Sequence, residues 1–386
     1  MEKSKKWLIL TIVGVVSLLG GIVCLIVALL QPEPEVLGLT FPQIPSTSTD
    51  TSTYSDLTGL KISADQKTAP TYCIQTPNGM DGARPQAGLD QAGVVFEAIA
   101  EAGITRFAAI YQAPTSAVIG PIRSLRLYYL QWDTPFDCTI VHAGGADDAL
   151  AAVRNGGYKD LTENYTYMYR GSAGNRLWNN LFTTSTLLST MNTDRGYGGS
   201  EVHGFTRMTP KESKQDLVDQ NIATKLSIVE AADSDTSTLT PKVTDISVHF
   251  GGIASFNVNY KYDLTTNSYL RSYQNGMAHE IYTCPDSNLG EVNPESACTL
   301  KQLSPTVVVA MVVSEKKAWD NYHEDITTLG SGEAYVFQNG YAIKGRWEKN
   351  TVADQIKFYD ESGVEIALAP GQTFVEAVPN YGSIDF

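Results

Sequence analysis

The sequence GVVFEAIAEAGITRFAAIYQ, residues 93–112, contains two apolar runs on either side of Ala102 and Gly103. Short runs of this composition around a turn signal predict two strands joined in a hairpin, although the first run could also form a helix. The segments that follow predict a helix in SLRLYYLQW (124–132), a buried strand in CTIVHAGG (138–145), and helices in ADDALAAVRNGG (146–157) and TSTLLSTMNTD (184–194). This alternation indicates a layered α/β or α+β domain.

The C-terminal part of the chain has a different pattern. A polar, Thr-rich stretch at residues 230–242 is followed by short strand-like segments such as TVVVAMVVSE (306–315). In FQNGYAIKG (337–345), Asn339-Gly340 separates two alternating runs, which is a clear hairpin signal. We therefore expect an α+β protein with an α/β-layered domain over residues 59–230 and a mostly antiparallel β domain over residues 240–386.

The N-terminus predicts a membrane anchor. Residues 1–6, MEKSKK, form a basic tail, and residues 7–30 then continue for 24 positions without a charged side chain. A helix of that length reaches about 36 Å, enough to cross a hydrocarbon core of about 30 Å. Because basic residues stay on the cytoplasmic side, the rest of the chain is expected outside the membrane, on a Pro/Ser/Thr-rich stalk at residues 31–58.

Two other interpretations of this segment remain open. A cleaved signal peptide would have a shorter apolar core and a small-x-small cleavage pattern. Cys24 could be the modified residue of a lipoprotein, but Val23 precedes it where a small residue is expected and the apolar run continues beyond it. We expect a single-pass cell-membrane protein that contacts the lipid bilayer through an uncleaved helix, with a cytoplasmic N-terminus and extracytoplasmic domains.

Composition and motifs limit the function. A formal net charge of −14 argues against nucleic-acid binding, which requires a basic surface. Hydrophobic residues make up 42% of the chain, as in globular proteins, so a wholly disordered chain is excluded. The sequence contains no G-x-S-x-G, HExxH, phosphate-binding loop, GxGxxG or CxxC motif. It therefore predicts no catalytic residue, no metal site and no cofactor.

The cysteines predict disulfide bonds. Cys73, Cys138, Cys284 and Cys298 follow the predicted anchor, and an even number of cysteines in an oxidising compartment is typical of paired thiols. Cys284 and Cys298 flank a polar loop, whereas the other two lie in strand-like runs that could be neighbours. The connectivity stays open, and so does the alternative of unpaired buried thiols.

Two arginines form the first candidate ligand site. In VIGPIRSLRLYY (118–129), Arg123 and Arg126 follow a Gly-Pro break and would lie on one face of a helix beginning there. Such a pair, with Ser124 between its members, suits a phosphate or carboxylate ligand. The alternative is that both arginines pair with carboxylates of the protein itself.

Two further polar features occur in apolar surroundings. Asp147 and Asp148 are expected to stabilise a helix start rather than to admit a phosphate, and His142 before them is expected to be a hydrogen-bonded residue at a strand end. Glu97 and Arg106 occur in the facing runs of the predicted hairpin and could approach across it. They would form either a structural ion pair or the floor of a cleft.

Several motifs, in order, closely resemble the YerB-like family of bacterial extracytoplasmic lipoproteins. They are GARPQAGLDQAGVVFEAIAEAGITRFAAIYQ (82–112), IGPIRSLRLYYLQW (119–132), VHAGGADDAL (141–150), NLFTTSTLL (180–188), NYKYDLTTNSYLRSYQNGMAHE (259–280) and GEAYVFQNGYAIKGRWEK (332–349). The resemblance implies two domains. This chain departs from the family pattern in two places. It has Asn179-Asn180 where the family tends to have His-Asn, and this difference removes a candidate acid/base. It also lacks the family's lipobox.

The resemblance and the residues together lead to a binding hypothesis. We expect an envelope protein that binds a protein partner, a glycan or an anionic ligand, and the candidate binding residues are Glu97, Arg106, Arg123, Ser124, Arg126, His142, Arg170 and Asn180. A looser similarity of layout to the LytR-CpsA-Psr envelope phosphotransferases implies the alternative, an enzyme acting on a phosphate-bearing polyprenyl-glycan carrier. The sequence does not decide whether the protein is an enzyme.

Overall fold

A computed structural model describes residues 53–171, 179–220, 242–284 and 298–386. The predicted anchor at 7–30, most of the predicted stalk and the predicted boundary near 230–240 lie outside these ranges. No helix within the described ranges is long and apolar enough to cross a membrane. Ser52–Phe386 cluster into one compact unit.

The described residues contain short helices and many strands. The α-helices are α1 Ala64–Lys67, α2 Leu127–Asp133, α3 Asp147–Asn155, α4 Ser185–Asp194 and α5 Pro210–Asp219. The strands are β1 Thr53–Tyr54, β2 Lys61–Ile62, β3 Thr71–Pro77, β4 Val94–Glu101, β5 Ile104–Gln112, β6 Thr139–His142, β7 Asp160–Thr162, β8 Tyr169–Arg170, β9 Leu181–Phe182, β10 Asp245–His249, β11 Val258–Asp263, β12 Ser268–Tyr273, β13 Glu280–Thr283, β14 Thr299–Gln302, β15 Val307–Val313, β16 Glu315–Lys317, β17 Glu324–Ile326, β18 Gly330–Gln338, β19 Tyr341–Lys349, β20 Lys357–Asp360, β21 Thr373–Pro379 and β22 Ser383–Asp385.

A ten-stranded mixed sheet forms the centre of the fold. Its strand order is β20-β19-β18-β15-β21-β4-β5-β3-β6-β7. Strands from the N-terminal part of the chain meet those from the C-terminal part where β21 runs parallel to β4, with Glu376 opposite Glu97. One sheet therefore contains strands from both parts of the chain, and the domain boundaries given above stay a prediction.

The hairpin predicted at residues 93–112 is confirmed. It consists of β4 and β5, and its turn contains Ala102 and Gly103, both with positive φ angles of 49° and 77°. A two-residue turn in the left-handed region matches the twist of the strands it joins. Nearly every residue of both strands is buried because the sheet is covered on both faces. This explains the continuous apolar runs in the sequence.

The two faces of the large sheet are covered by different elements. On one face, α2 and α3 pack their buried side chains, including Trp132 and Val153, against Phe96 and its neighbours. On the other face, α4 contributes Leu188 and Met191 to a second cluster. The predicted helices in these segments are thus confirmed, although α2 begins three residues later than its sequence suggests.

An antiparallel sheet of order β12-β11-β10-β22 covers the rest of the second face. Its inward side chains, such as Val248 and Val258, pack against Val308 and Phe337 of the large sheet. The predominance of strands in the C-terminal part is confirmed. So is the β18–β19 hairpin, whose turn is Asn339-Gly340 with φ angles of 51° and 76°.

The described residues contain two disulfide bonds. Cys73 of β3 is bonded to Cys138, which immediately precedes the neighbouring strand β6, and Cys284 is bonded to Cys298. The predicted pairing of all four cysteines is confirmed, and the connectivity that the sequence left open is now defined.

Candidate functional site

The arginines of the 118–129 segment do not share a helical face. α2 begins at Leu127, and Arg126 is its N-terminal cap in an extended conformation with φ −125° and ψ 150°. The backbone of Arg123 bonds to Gln75 of β3 and to Ala143 after β6. Because these neighbours satisfy its backbone groups, the segment stays extended instead of starting the helix. The predicted helical pair is therefore wrong.

Arg126 instead shares a carboxylate with Arg106. The Glu101 carboxylate binds the guanidinium of Arg106 through Oε1 and that of Arg126 through Oε2, the latter at 2.6 Å. All three side chains are at least nine-tenths buried. A β-bulge between Ile99 and Glu101 makes this contact because it turns Glu101 onto the sheet face that carries Arg106. The cluster has two cations and one anion, and burial lowers the pKa of Arg106, with the charge of Arg126 acting in the same direction.

Glu97 and Arg106 do not approach each other. In the hairpin register, Glu97 is opposite Phe107 while Arg106 is opposite Ala98. Residues that are directly opposite share a face and successive residues alternate, so the two side chains point to opposite faces of the sheet. The predicted approach of Glu97 and Arg106 across the hairpin is therefore wrong.

The partner of Glu97 is Arg271, from β12 in the second sheet. The Arg271 guanidinium binds Oε2 of Glu97 and lies 3.8 Å from Oε1 of Glu376, and all three side chains have no exposed surface. Oε1 of Glu97 accepts hydrogen bonds from Asn78 at 3.0 Å and Thr105 at 2.5 Å. We call the buried group formed by Glu97, Glu376, Arg271 and the residues bonded to them the Glu97 network.

Aromatic rings enclose the cation of the network. The rings of Phe107, Tyr260, Tyr273 and Phe374 lie with their centroids 5.5–5.7 Å from the Arg271 guanidinium carbon. Tyr260 donates a short hydrogen bond to Glu376, and Arg271 donates to the Tyr260 hydroxyl at 3.0 Å. A buried guanidinium is stable in such surroundings because ion pairing and ring faces replace its hydration.

The two carboxyls of the network lie in different electrostatic surroundings. Burial, reinforced by the charge of Glu97, raises the pKa of Glu376 well above its usual value. Burial alone would lower the pKa of Arg271, but Glu97 and the other acidic groups around it raise that pKa overall. These surroundings favour the protonated form of Glu376, whereas the closest ion-pair contact of Arg271 is with Glu97. Oε2 of Glu376 is buried and accepts no hydrogen bond within the described chain, so nothing at this oxygen stabilises the charged form of the carboxyl.

His279 connects the network to the loop before β4. Its Nδ1 contacts the Arg271 guanidinium, and its Nε2 lies 3.0 Å from Oε1 of Gln86. Burial, followed by the charges of Arg271 and Arg84, lowers the pKa of His279 well below its usual value. The ring is therefore neutral, with Nδ1 as the acceptor and Nε2 as the donor. These contacts link the Arg271 guanidinium to Gln86 in the loop before β4.

The other sequence-predicted residues lie in different surroundings. His142 is buried at the end of β6, with Nδ1 2.7 Å from the Gly144 carbonyl and Nε2 2.9 Å from Asp160, so the expected satisfied strand-end histidine is observed. Ser124 donates to the Ala143 carbonyl at 3.1 Å. Arg170, at the surface, binds Glu163 at 2.6 Å and Asn180 at 2.8 Å. These residues do not form one pocket with the Glu97 network.

Arg123 is the candidate cation that keeps an open guanidinium. Within the described ranges, its side chain has no hydrogen bond or ion pair, whereas Arg106, Arg126 and Arg170 all bind carboxylates. It is half-buried, and burial lowers its pKa although Asp81 and Glu101 act in the opposite direction.

A cleft of about 770 Å³ lies between the N-terminal and C-terminal parts of the chain. One wall contains Arg126, Gln131 and residues 145–148 at the start of α3. The other wall is residues 316–326, which form the β16–β17 arm. An isolated bridge between Glu101 and His323 fixes the arm beside the buried arginines. We call this space the seam cleft.

The seam cleft and the Glu97 network contain residues that no sequence motif marks as functional. Arg271, His279 and Glu376 lie in segments that were interpreted only as strands or as family motifs. One signal was present for Arg271, because it alternates with Tyr269 and Tyr273, and such alternation places all three on one face of a strand. Nothing in the sequence marks the β16–β17 arm as a wall of a cleft.

The fold defines an α+β protein in which strands from the N-terminal and C-terminal parts of the chain share one sheet, with two disulfide bonds in the described residues. The family described as "Protein of unknown function (DUF3048)" matches this chain with its N-terminal domain at residues 57–198 and its C-terminal domain at residues 246–375. The chain belongs to this two-domain, YerB-like family.

Known relatives agree with this assignment. The chain is 25% identical over 326 residues to "Putative lipoprotein YerB" of Bacillus subtilis (strain 168), a match that covers 84% of this chain and 86% of the relative. It is also similar to the crystal structure of the YerB protein from Bacillus subtilis, with a TM-score of 0.67, 21% identity, and coverage of 87% of this chain and all of that chain. The structural match shows that the two proteins share a fold.

Proposed function

We propose that this protein is a membrane-anchored, extracytoplasmic binding protein of the cell envelope and that its ligand occupies the seam cleft. The anchor part of the proposal is supported by the lysines and the uncharged run at residues 7–30. The name of the Bacillus subtilis relative, a lipoprotein, agrees with attachment to a membrane. Two disulfides in the described chain are typical of an oxidising compartment outside the cytoplasm.

The observation that carries the binding role is the seam cleft itself. Its volume of about 770 Å³ lies within the range of ligand sites, and residues from both parts of the chain line it. The indole of Trp319 is 79% exposed at this cleft. A large aromatic side chain that remains open to solvent beside polar groups is typical of a recognition surface.

A second candidate function is an envelope enzyme that handles a phosphate-bearing polyprenyl-glycan carrier. Arg123 favours the enzyme, because its guanidinium has no partner within the described residues and could bind a phosphate group. Against it, Arg106 and Arg126 already bind Glu101, so they are not free to hold a phosphate. The seam cleft also contains more carboxylates than cations. Binding therefore remains the favoured function.

A ligand panel tests the proposal on the whole chain in a non-ionic detergent. The panel contains soluble sugar–peptide fragments of digested bacterial cell wall and a short-chain polyprenyl phosphate, and binding is measured by calorimetry or NMR. Ala146→Trp places a large side chain in the seam cleft, at a residue whose extended backbone accepts any side chain. Ala151→Trp, on the exposed surface of α3, is the matched control.

The two candidate functions give different results in this panel. The binding proposal expects a cell-wall fragment to bind the parent chain and the Ala151→Trp control, and to lose about tenfold or more in affinity with Ala146→Trp. Binding of polyprenyl phosphate alone, sensitive to Arg123→Ala but not to Ala146→Trp, would support the enzyme instead. Absence of binding to every member, or binding that Ala146→Trp leaves unchanged, contradicts a ligand site in the seam cleft.

A further inference from the structure

The cations that line the seam cleft are already neutralised. Its lining contains three cationic side chains and five carboxylates, a formal charge of −2 with His323 neutral. Arg126 binds Glu101, Lys316 binds Asp325 at 3.3 Å, and Lys317 forms a short ion pair with Glu324. An anionic ligand would meet no uncommitted cation on these walls.

Two carboxylates on the opposite wall have no such partner. Asp147 and Asp148 are the first two residues of α3 and both are exposed. Within the described chain neither forms an ion pair, and the only hydrogen bond to either carboxylate comes from the adjacent backbone amide of Ala149, at 2.7 Å to Asp148. The helix dipole stabilises negative charge at this position but is no counter-ion, so both carboxylates line the cleft without a cationic partner in the described chain.

The third feature is the open face of Trp319. Its ring makes no aromatic contact and its indole N–H no hydrogen bond in the described part of the protein, although it lines the same cleft as the two aspartates. An indole face is the best aromatic partner for an ammonium group, especially beside carboxylates. The combination is suited to an organic cation.

A fourth feature is a buried donor in the wall of the cleft that contains Arg126. Arg126 is 4% exposed, and its Nε has no acceptor within the described residues while its two Nη atoms are bonded to Glu101 and to the Leu125 carbonyl. A buried N–H without a partner costs free energy, so an oxygen acceptor is expected at this position when the site is in use. A ligand that satisfies the whole cleft would therefore carry an ammonium group and an oxygen acceptor together.

We propose that the ligand of the seam cleft is a short peptide with a free ammonium group, such as the side-chain amine of a lysine-type residue. This inference rests on the proposed function and specifies its ligand class. The ammonium group lies between the carboxylates of Asp147 and Asp148 and the indole of Trp319. A carbonyl or carboxylate oxygen of the same peptide faces Arg126.

The experiment compares two peptides that differ only in the amine. Acetyl-Lys-Ala-Ala carries the ammonium group, and the same peptide acetylated on the lysine Nζ does not. Both are titrated into the full chain in non-ionic detergent at physiological salt, where unspecific attraction to an acidic protein is screened. A glucosamine tetramer and its N-acetylated form are titrated in parallel to identify an amino sugar as the source of the amine.

Paired variants locate the binding. Asp147→Asn with Asp148→Asn removes two charges from the cleft, and Asp65→Asn with Glu201→Gln removes two charges from exposed residues outside it. The peptide Kd is expected to rise about tenfold with the first pair, as for the loss of two ion pairs, and to stay within about twofold with the second. Trp319→Ala is expected to raise it about two- to fivefold, and Trp319→Phe less.

The results separate this inference from the proposed function. Equal binding of the acetylated and free-amine peptides, equal effects of the two charge pairs, or binding of the amino sugar but not the peptide would each overturn it. If the cell-wall fragments still bind in a manner sensitive to Ala146→Trp, the cleft remains a binding site and only the ligand class is wrong. If neither they nor the peptide bind, both proposals fail.

Discussion

The raised pKa of Glu376 in the Glu97 network predicts how the free energy of unfolding changes with pH. The substitution Glu376→Gln keeps the size and polarity of the side chain but removes its titration. In the folded protein, burial and the neighbouring Glu97 raise the pKa of Glu376 well above its ordinary value of 4.5. Between 4.5 and that raised value, the folded state holds a proton that the unfolded chain releases. The free energy of unfolding therefore decreases as the pH rises through this interval.

The size of the effect follows from proton linkage. One proton held only by the folded state lowers the free energy of unfolding by up to about 1.4 kcal/mol per pH unit. The Gln variant lacks this term. Near pH 4.5 and below, the variant and the parent should differ by no more than about 1 kcal/mol, because the amide can still accept the hydrogen bond from Tyr260. Above that pH, the variant should become progressively more stable relative to the parent.

Urea denaturation followed by circular dichroism, at several pH values from 4.5 to 8 and constant ionic strength, measures this difference. Taking the difference between the two proteins cancels the titration of all other groups. Glu97→Gln is the matched control. It removes the ion-pair partner of Arg271 and is expected to cost about 3–5 kcal/mol at neutral pH. A difference between Glu376→Gln and the parent that stays constant from pH 5 to 8 would refute the raised pKa of Glu376.

Two further predictions concern the ion cluster and the disulfides. Glu101→Gln removes the shared partner of two buried arginines and should lower the free energy of urea unfolding by about 3–5 kcal/mol, whereas Asp56→Asn, in an exposed pair with Lys67, should change it by less than about 1 kcal/mol. Equal losses of stability in the two variants would show that Glu101 contributes no more to the free energy of unfolding than an exposed carboxylate does. Alkylation of the denatured, non-reduced chain should add at most one group, at Cys24, and five after reduction, as read by intact mass. Four additional labels without reduction would contradict the disulfides.

The sequence predicted elements well where periodicity and turn chemistry act locally. The 93–112 hairpin, the Asn339-Gly340 hairpin and α3 were all predictable because alternating or buried runs end at residues that favour left-handed turns or helix ends. Side-chain partnerships were not predictable to the same extent. Glu97 and Arg106 are in facing strands, but the strand register places them on opposite faces, and a register cannot be read from composition.

The bulge before Glu101 illustrates the same limit. One extra residue changes which face of β4 the carboxylate occupies, and this decides that Arg106 binds Glu101 instead of Glu97. The extended conformation of Arg126 results from a different long-range effect. The segment before α2 bonds to β3 and to the loop after β6, and these tertiary contacts delay the helix start. Local propensity in SLRLYYLQW contains no information about either contact.

The Glu97 network and the seam cleft differ in how their charged groups are paired. In the Glu97 network the buried guanidinium of Arg271 binds Glu97 across the two sheets, and burial raises the pKa of the second carboxyl, Glu376, well above its usual value. These contacts favour one register of β21 against β4, at the joint where the N-terminal and C-terminal parts of the chain meet. A shifted register would separate Glu376 from Tyr260 and Glu97.

The seam cleft lies beside that joint but has the opposite character. Its walls keep Asp147 and Asp148 unpaired and leave Trp319 exposed, although an acidic chain of net charge −14 would be more stable with such charges neutralised. Residues 316–326 reach this position because β15 continues from the joint into the arm, and the Glu101–His323 bridge fixes it there. The Glu97 network, in which charged groups are paired, therefore lies beside a cleft whose lining has a net negative charge. A cationic ligand is the simplest species that would offset that charge.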